Sequence, residues 1–320
     1  MVGRKPSIAL EDLRRYWGEV EVVTGFFKPR LRRYDLVVAQ EPTLRVGVPA
    51  LLQAKLSGAP LITEVHGSYL EQGFLPRKDR LAAWFVLRSS NMVRAVNNNI
   101  ASHLRANGVS KVSVIPSVYI RLDLFKPLSK PSGRGHMVLT AARLVPEKGL
   151  ELLLESVPIL RRDFHDLEVK VLGDGPERAR LSRLAEQLGV SDVVRFLGWV
   201  TEDEVVRHYN EAAVFVCTSH FEGGPRTVFE AAACLTPSVS TPVGIVPEVL
   251  RDGESVLLVK RRDPQLLAEK IAQLLNDVEK RTQIAEKARE IVATKFEWSE
   301  SIERYALSYM RFAANILKTQ

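Results

Sequence analysis

Short β-branched runs alternate with helix-length segments along almost the whole chain, and few folds accommodate that rhythm. DLVVA at residues 35–39, LITEV at Leu61–Val65, residues 92–96 and KVSVI at 111–115 read as strands, with a further one over 20–24. Helical segments at 48–56, 79–89 and 100–106 separate them. β-branched runs linked by helices through short loops specify a parallel α/β sheet with buried strands. The rhythm resumes after residue 136. Strands are expected at Met137–Ala141, 167–172, 193–197, Val214–Cys217, Ser238–Ser240 and 255–259. Helices are expected at 149–162, 178–188, Glu202–Glu211, from about Thr227, at 264–275 and at 280–295. A last helix over 299–317 follows Phe296, Glu297 and Trp298.

Between the two series lies KPLSKPSGRG (126–135), rich in Pro, Gly and Ser and therefore the best domain boundary in the chain. Three parts are expected: an N-terminal Rossmann-like domain over 1–127, a C-terminal one over 128–298, and a helix over 299–320 packing back on the first. At 320 residues and 46% hydrophobic, the chain has enough apolar surface for two cores without covalent staples. Cys217 and Cys234 match no metal or redox spacing and read as buried thiols, as in a reducing compartment. No signal-peptide core and no membrane-span-length apolar run is present, so a cytoplasmic protein is expected. Charge is uneven: residues 1–130 carry 20 Lys+Arg against 10 Asp+Glu, whereas the remainder has a small acidic excess. An anionic partner for the front half follows, with a bilayer surface, a lipid phosphate or nucleic acid as candidates.

Three clusters carry chemistry, each just after an expected strand, where open α/β sheets bind ligands. Arg143 and Lys148 flank a turn into a helix, and two cations beside a helix N-terminus suit a diphosphate. They are also compatible with an exposed Arg and a helix-starting Lys. In SHFEGGPRTVFE (219–230), Gly223 and Gly224 allow close backbone approach to a ligand. Glu222 and Glu230 flank the start of a helix, and carboxylates accept paired hydrogen bonds from sugar hydroxyls. Their Glu-x7-Glu spacing is unspecific alone, since Glu11/Glu19 and Glu147/Glu155 share it; the Gly-Gly-Pro context is the signal. His66, in EVHG at a strand end, either meets a ligand or is a structural hydrogen-bonding residue.

The ordered series EVHG (64–67), AARLVPEKG (141–149), VLGDGPER (171–178), VRFLGWV (194–200), FEGGPRTVFEAAA (221–233) and TPVGIVPEVLRDGESVLLV (241–259) resembles the family-four retaining glycosyltransferases. The resemblance covers nearly nine-tenths of the chain, from about Tyr34 onward. It implies a GT-B fold: two Rossmann-like domains facing across a cleft. By the same resemblance, a sugar passes from a nucleotide-diphosphate donor to an acceptor hydroxyl with retention and without a metal or other cofactor. Arg143 and Lys148 would bind the diphosphate, Glu230 the ribose and Glu222 the sugar. Backbone N–H groups across Gly223, Gly224, Pro225, Arg226, Thr227 and Val228 would meet phosphate and sugar, Pro225 itself having none to give. Gly198 would pack on the base, and His66 would approach the sugar from the other domain.

The pattern departs from the family in three places. No strand and Gly-rich loop precede Arg14, so the N-terminal domain is expected to be truncated by one strand–loop–helix unit. Pro116, Ser117 and Val118 stand where Asn-Gly is frequent, and Leu235 replaces a frequent Gly, a change expected to affect packing only. The acceptor is expected to be a glycan, a lipid-linked hydroxyl or another hydroxyl compound. Arg77, Lys78 and Arg80 precede LAAWFVLRSSNMVR (81–94) and, with Arg30, Arg32 and Arg33, suggest a peripheral site on an anionic inner-membrane face. The competing reading of 81–87 is a core helix, apolar all round. No nucleic-acid-binding signature is present. A catalytically silent relative that binds a nucleotide sugar or a partner protein, and an epimerase acting on the donor alone, are the alternatives.

Overall fold

The structure, a computed structural model, describes residues 8–21, 32–67, 69–71 and 75–317. Most of the strand expected over 20–24, and Arg30, lie outside them. Two compact units divide the chain: Met1–Ser117 with Ser299–Gln320, and Val118–Trp298.

In the first unit β1 (Val37–Ala39), β2 (Leu61–Val65), β3 (Met92–Ala95) and β4 (Val112–Val114) form a parallel sheet in sequence order. The helices of this unit are α1 (Ile8–Trp17), α2 (Gly47–Ser57), α3 (Arg77–Ser89) and α4 (Asn98–Ala106). Right-handed crossovers between strands that advance in one direction put α2, α3 and α4 on the same face. Leu61 of β2 accordingly packs with Leu51, Ala54 and Val86 of α2 and α3. Strand side chains alternate, so Glu64 points to the opposite face. There its carboxylate accepts hydrogen bonds from Tyr305 and Tyr309 of the terminal helix (2.5 and 2.6 Å). Trp17 of α1 lies against both tyrosine rings, with centroids 5.6 Å apart, and its Nε1 donates to the Ala306 carbonyl.

The all-round apolar reading of 81–87 does not hold. Ala83, Val86 and Leu87 are buried, whereas Leu81, Trp84 and Phe85 are 61%, 41% and 53% exposed. α3 covers the sheet with one side only, and the helical period turns the other three side chains outward.

The second unit runs β5 (Met137–Ala141), α5 (Glu151–Leu160), β6 (Glu168–Leu172), α6 (Arg178–Gln187), β7 (Val194–Gly198), α7 (Glu202–Glu211), β8 (Val214–Cys217), α8 (Arg226–Ala233), β9 (Ser238–Ser240), α9 (Val246–Val249), β10 (Leu257–Leu258), α10 (Pro264–Asn276) and α11 (Val278–Lys295). α12 (Trp298–Leu317) then carries the chain into the first unit. The six parallel strands are ordered β10-β9-β8-β5-β6-β7, so the chain moves outward from β5 in one direction and then returns to build the other. Period-two alternation feeds two cores. Val138, Val169 and Val214 pack with Leu153, Leu181 and Ile271 on one face. Leu139, Leu172 and Phe215 pack with Val206, Phe229 and Val292 on the other.

The units part at Ser117/Val118, earlier than the 127/128 boundary expected from composition. The reason is packing: Val118, Ile120 and Phe125 are buried in the second core, and the Ile120 N–H donates to the Phe296 carbonyl at 2.8 Å. The Pro-rich segment is itself held, since Asn210 Oδ1 accepts from the Leu128 N–H at 2.6 Å. Smaller differences are local. The helix expected from Gly149 begins at Glu151 after a 3₁₀ turn, Pro146–Lys148, and the strand expected over 255–259 shrinks to Leu257–Leu258.

Leu235 does more than alter packing. It follows α8 with φ +56°, the left-handed conformation that helix C-termini usually give to glycine. Arg134 offsets the strain. Its buried guanidinium donates to the carbonyls of Cys234 (2.9 Å), Leu235 and Ala212 (both 3.0 Å) and to the Thr236 hydroxyl (2.7 Å). A cation is thereby placed on the negative end of α8, and burial lowers its pKa to about 10.

Candidate functional site

Because the strand order reverses direction between β5 and β8, the loops leaving their carboxyl ends diverge and open a crevice, the usual ligand position in such sheets. A cavity of about 290 Å³ lies there, lined by Ala142, Arg143, Lys148, Ser219, Glu222 and Gly224 through Thr227 among others.

The local sequence accounts for the shape of this crevice. Gly173 (φ +108°) brings the loop after β6 against the loop after β5; a Cβ there would lie 2.0 Å from the Ala142 carbonyl. Leu144 N–H donates to the Asp174 carbonyl at 3.0 Å, locking the two loops. Gly149 (φ +55°) ends the 3₁₀ turn that presents Lys148. The Gly149 and Thr218 carbonyls both accept from Arg262 (3.1 and 2.6 Å), and Thr218 Oγ1 donates to the Lys148 carbonyl. Arg262 therefore ties the loops after β5 and β8 together from behind.

Lys148 Nζ donates to Glu222 Oε1, which also accepts from Ser219 Oγ at 2.7 Å. One carboxylate oxygen takes both bonds, and Oε2 keeps its acceptor capacity. The exposed Arg143 guanidinium forms no ion pair among the described residues, so its five donors are available to a ligand. α8 begins at the cavity wall with Pro225 as N-cap and no side-chain cap, leaving first-turn N–H groups for an anion.

Arg143, Lys148, Glu222, Gly224, Pro225, Arg226 and Thr227 thus come together around one cavity. The other expected site residues lie elsewhere. Val228 is fully buried in the core and its N–H already donates to the Pro225 carbonyl. Gly223 accepts close backbone contact, with Gly244 packed so that a Cβ there would sit 2.6 Å from its carbonyl oxygen. Gly198 (φ +73°) ends β7. Glu230 lies one turn along α8 from Arg226, with Arg226 Nη2 at 3.2 Å from Oε1 and the Tyr209 hydroxyl at 3.1 Å from Oε2. Burial raises the pKa of the Glu230 carboxyl, against the opposing pull of Arg226 and Tyr209.

His66 belongs to the first unit, where its Nε2 lies 3.0 Å from Glu64 Oε2. Glu64 also meets Arg94 Nη1 at 3.1 Å and the two tyrosine hydroxyls. Burial pushes this carboxyl up, but the His66 hydrogen bond, the Arg94 and His66 charges and Tyr305 outweigh it and bring its pKa to about 2. Arg94 in turn donates to the Ile115 and Pro116 carbonyls (2.8 and 2.7 Å). His66 thus stands on a buried, fully partnered carboxylate.

Sequence reasoning did not single out Arg262, Arg134 or Tyr209. Each acts through contacts distant in sequence, and Arg262 sits in a Lys-Arg-Arg run where nothing local distinguishes it from Arg261.

Two family models agree with this architecture. Residues 124–291 match the family model for glycosyl transferases group 1, and residues 2–117 match a glycosyl transferase 4-like domain. The chain belongs to the group 1 glycosyl transferases, and its fold is that of the GT-B enzymes. Among its relatives is the GDP-mannose-dependent alpha-(1-6)-phosphatidylinositol monomannoside mannosyltransferase of Mycobacterium tuberculosis, 27% identical over 77% of this chain and 68% of that protein. Another is the alpha-D-kanosaminyltransferase of Streptomyces kanamyceticus, 24% identical over 81% of this chain and 72% of that protein. Anabaena HepE, solved with UDP and glucose, superposes with a TM-score of 0.76 at 20% identity, covering 87% of this chain and 78% of HepE.

Proposed function

We propose that this chain transfers a sugar, with retention and without a metal, from a nucleoside-diphosphate sugar to a hydroxyl acceptor. The observation that carries the reading is the convergence of Arg143, Lys148 and the uncapped start of α8 on the cavity at the switch point. Cleavage of the bond between the anomeric carbon and the diphosphate leaves negative charge on the nucleotide. Two cations and a helix N-terminus stabilise that charge where it develops, the role a divalent metal has in other transferases. The acceptor oxygen forms the new bond to the anomeric carbon, and its proton leaves with the nucleoside diphosphate.

Glu222 Oε2 is the acceptor for sugar hydroxyls, and Glu230 is the acceptor for the ribose. Arg226 and the Tyr209 hydroxyl already partner Glu230, so its buried charge stays compensated while it accepts from the ribose diol. A lipid-linked acceptor is the class favoured by the mycobacterial relative, whose name specifies a phosphatidylinositol mannoside.

The test is transfer itself. Donor sugars on UDP, GDP and ADP are offered with glycan and lipid-linked acceptors, and the product anomer is read by NMR. A glycoside with the donor's anomeric configuration, formed in the presence of a chelator, supports the reading. Inversion or chelator-sensitivity contradicts the mechanism, and donor binding without transfer points to the silent relative. A new sugar nucleotide formed without acceptor points to the epimerase.

A further inference from the structure

We propose that the outer face of α3 docks the protein on an anionic lipid surface. Arg77, Lys78, Leu81, Trp84, Phe85 and Arg88 are all exposed, and their three- and four-residue spacing puts them on one side of the helix. Three large apolar side chains thus occupy the centre of the face, with cations at both ends. The Arg88 guanidinium stacks over the Trp84 ring, its Cζ 4.7 Å from the ring centroid, and so sets a cation directly against the apolar stripe. Asp79, the only acid of α3, is not among the exposed residues.

The neighbouring α2 adds exposed Leu52, Lys55 and Leu56. Five of the eleven exposed large hydrophobic residues among those described therefore belong to these two helices. An apolar stripe of this kind on an ordinary water-facing helix is unfavourable, and its basic border selects among the surfaces that could cover it. Acidic headgroups meet Arg77, Lys78, Arg88 and Lys55, while Trp84, Phe85 and Leu81 enter the boundary between headgroups and acyl chains. The two-to-one excess of basic over acidic residues across 1–130 has the same sign. No described helix is long and apolar enough to cross a membrane, so the face lies on the surface and does not span it.

The experiment is co-sedimentation of the full chain with phosphatidylcholine vesicles, with and without phosphatidylglycerol, at low and high salt. Binding is expected only with the anionic lipid and weaker at high salt. Leu81→Ser with Phe85→Ser, or Arg77→Glu with Lys78→Glu, should each weaken it at least about tenfold. Both pairs are solvent-exposed, and unchanged melting curves show that the fold survives. Brominated acyl chains should quench Trp84 emission, and Trp84→Phe should remove the quenched component among the four tryptophans. Equal binding to neutral vesicles, an unquenched Trp84, or loss of self-association as the only effect of the substitutions overturns the proposal. Failure here leaves the proposed sugar transfer untouched, because the glycan-acceptor arm of that test needs no lipid surface.

Discussion

At the residue scale, the two charges that matter most are handled in opposite ways. Arg143 is exposed and unpaired by any described acid, so its role is in binding and its removal should leave the fold intact. Arg143→Ala is predicted to lower kcat by roughly 10²–10³, as loss of one transition-state donor does, with Tm unchanged; steady-state kinetics beside a melting curve checks both. Glu64 is buried and fully engaged, and its removal should act on the fold. Its pKa falls from an ordinary 4.5 to about 2. A depressed carboxyl pKa contributes stability that is complete above about pH 4.5 and is lost as pH falls toward 2. The shift corresponds to about 3 kcal/mol at 1.36 kcal/mol per unit. Glu64→Gln is predicted to cost about 3–5 kcal/mol at neutral pH, because Arg94 is left buried without its counter-charge. It should also flatten the loss of stability between pH 4.5 and 2, measured by urea unfolding across that range. Tyr305 and Tyr309 remain neutral donors throughout, since burial and the Glu64 charge push their hydroxyls well above the usual value. Arg143, Lys148 and Glu222 were visible in the sequence because each follows a strand in a recognisable string. Arg262 was not, because its importance lies in the Thr218 and Gly149 carbonyls, 44 and 113 residues away.

At the element scale, the loops after β5 and β8 are held by close approaches that permit no side chain. Gly149→Ala would put a Cβ 2.7 Å from the Thr218 carbonyl and 2.4 Å from Arg262 Nη2, in a left-handed backbone. It is predicted to cost about 1–3 kcal/mol and to weaken nucleotide binding, since Lys148 moves with the turn; calorimetric titration and a melting curve separate the two effects. Leu235 offers the reverse case. Leu235→Gly relieves roughly 1–2 kcal/mol of left-handed strain, set against the packing of a half-buried leucine. A net gain below about 1 kcal/mol, seen as a higher denaturation midpoint, is predicted. The parallel strands and nearly all helices were readable, because β-branched runs and helical periodicity act locally. What periodicity could not supply was partnership. The same apolar run at 81–87 suits a buried helix or a one-sided one, and only the sheet beneath α3 decides. Likewise, composition placed a boundary at 127/128, whereas Val118, Ile120 and Phe125 follow the core they bury in.

At the scale of the whole molecule, the chain builds one sheet, then the other, and returns to the first through α12. That return covers the Glu64 face of β2, which the crossover helices leave open. Strand order carries the functional argument in the second unit, because only the reversal between β5 and β8 opens a crevice there. Neither strand order nor the coverage of a sheet face is written locally, although the rhythm of strands and helices made both questions answerable. The decisive claim is that this crevice holds a nucleoside diphosphate. Thermal unfolding with UDP, GDP and ADP in turn, for the wild type, Arg143→Ala and Glu230→Ala, tests it most directly. A ligand at 100 times its Kd adds about 2.7 kcal/mol, which is several degrees for a domain of this size. A shift with one nucleotide, abolished by both substitutions relative to each variant's own ligand-free Tm, is the predicted result. No shift with any nucleotide, or a shift that survives both substitutions, contradicts the account.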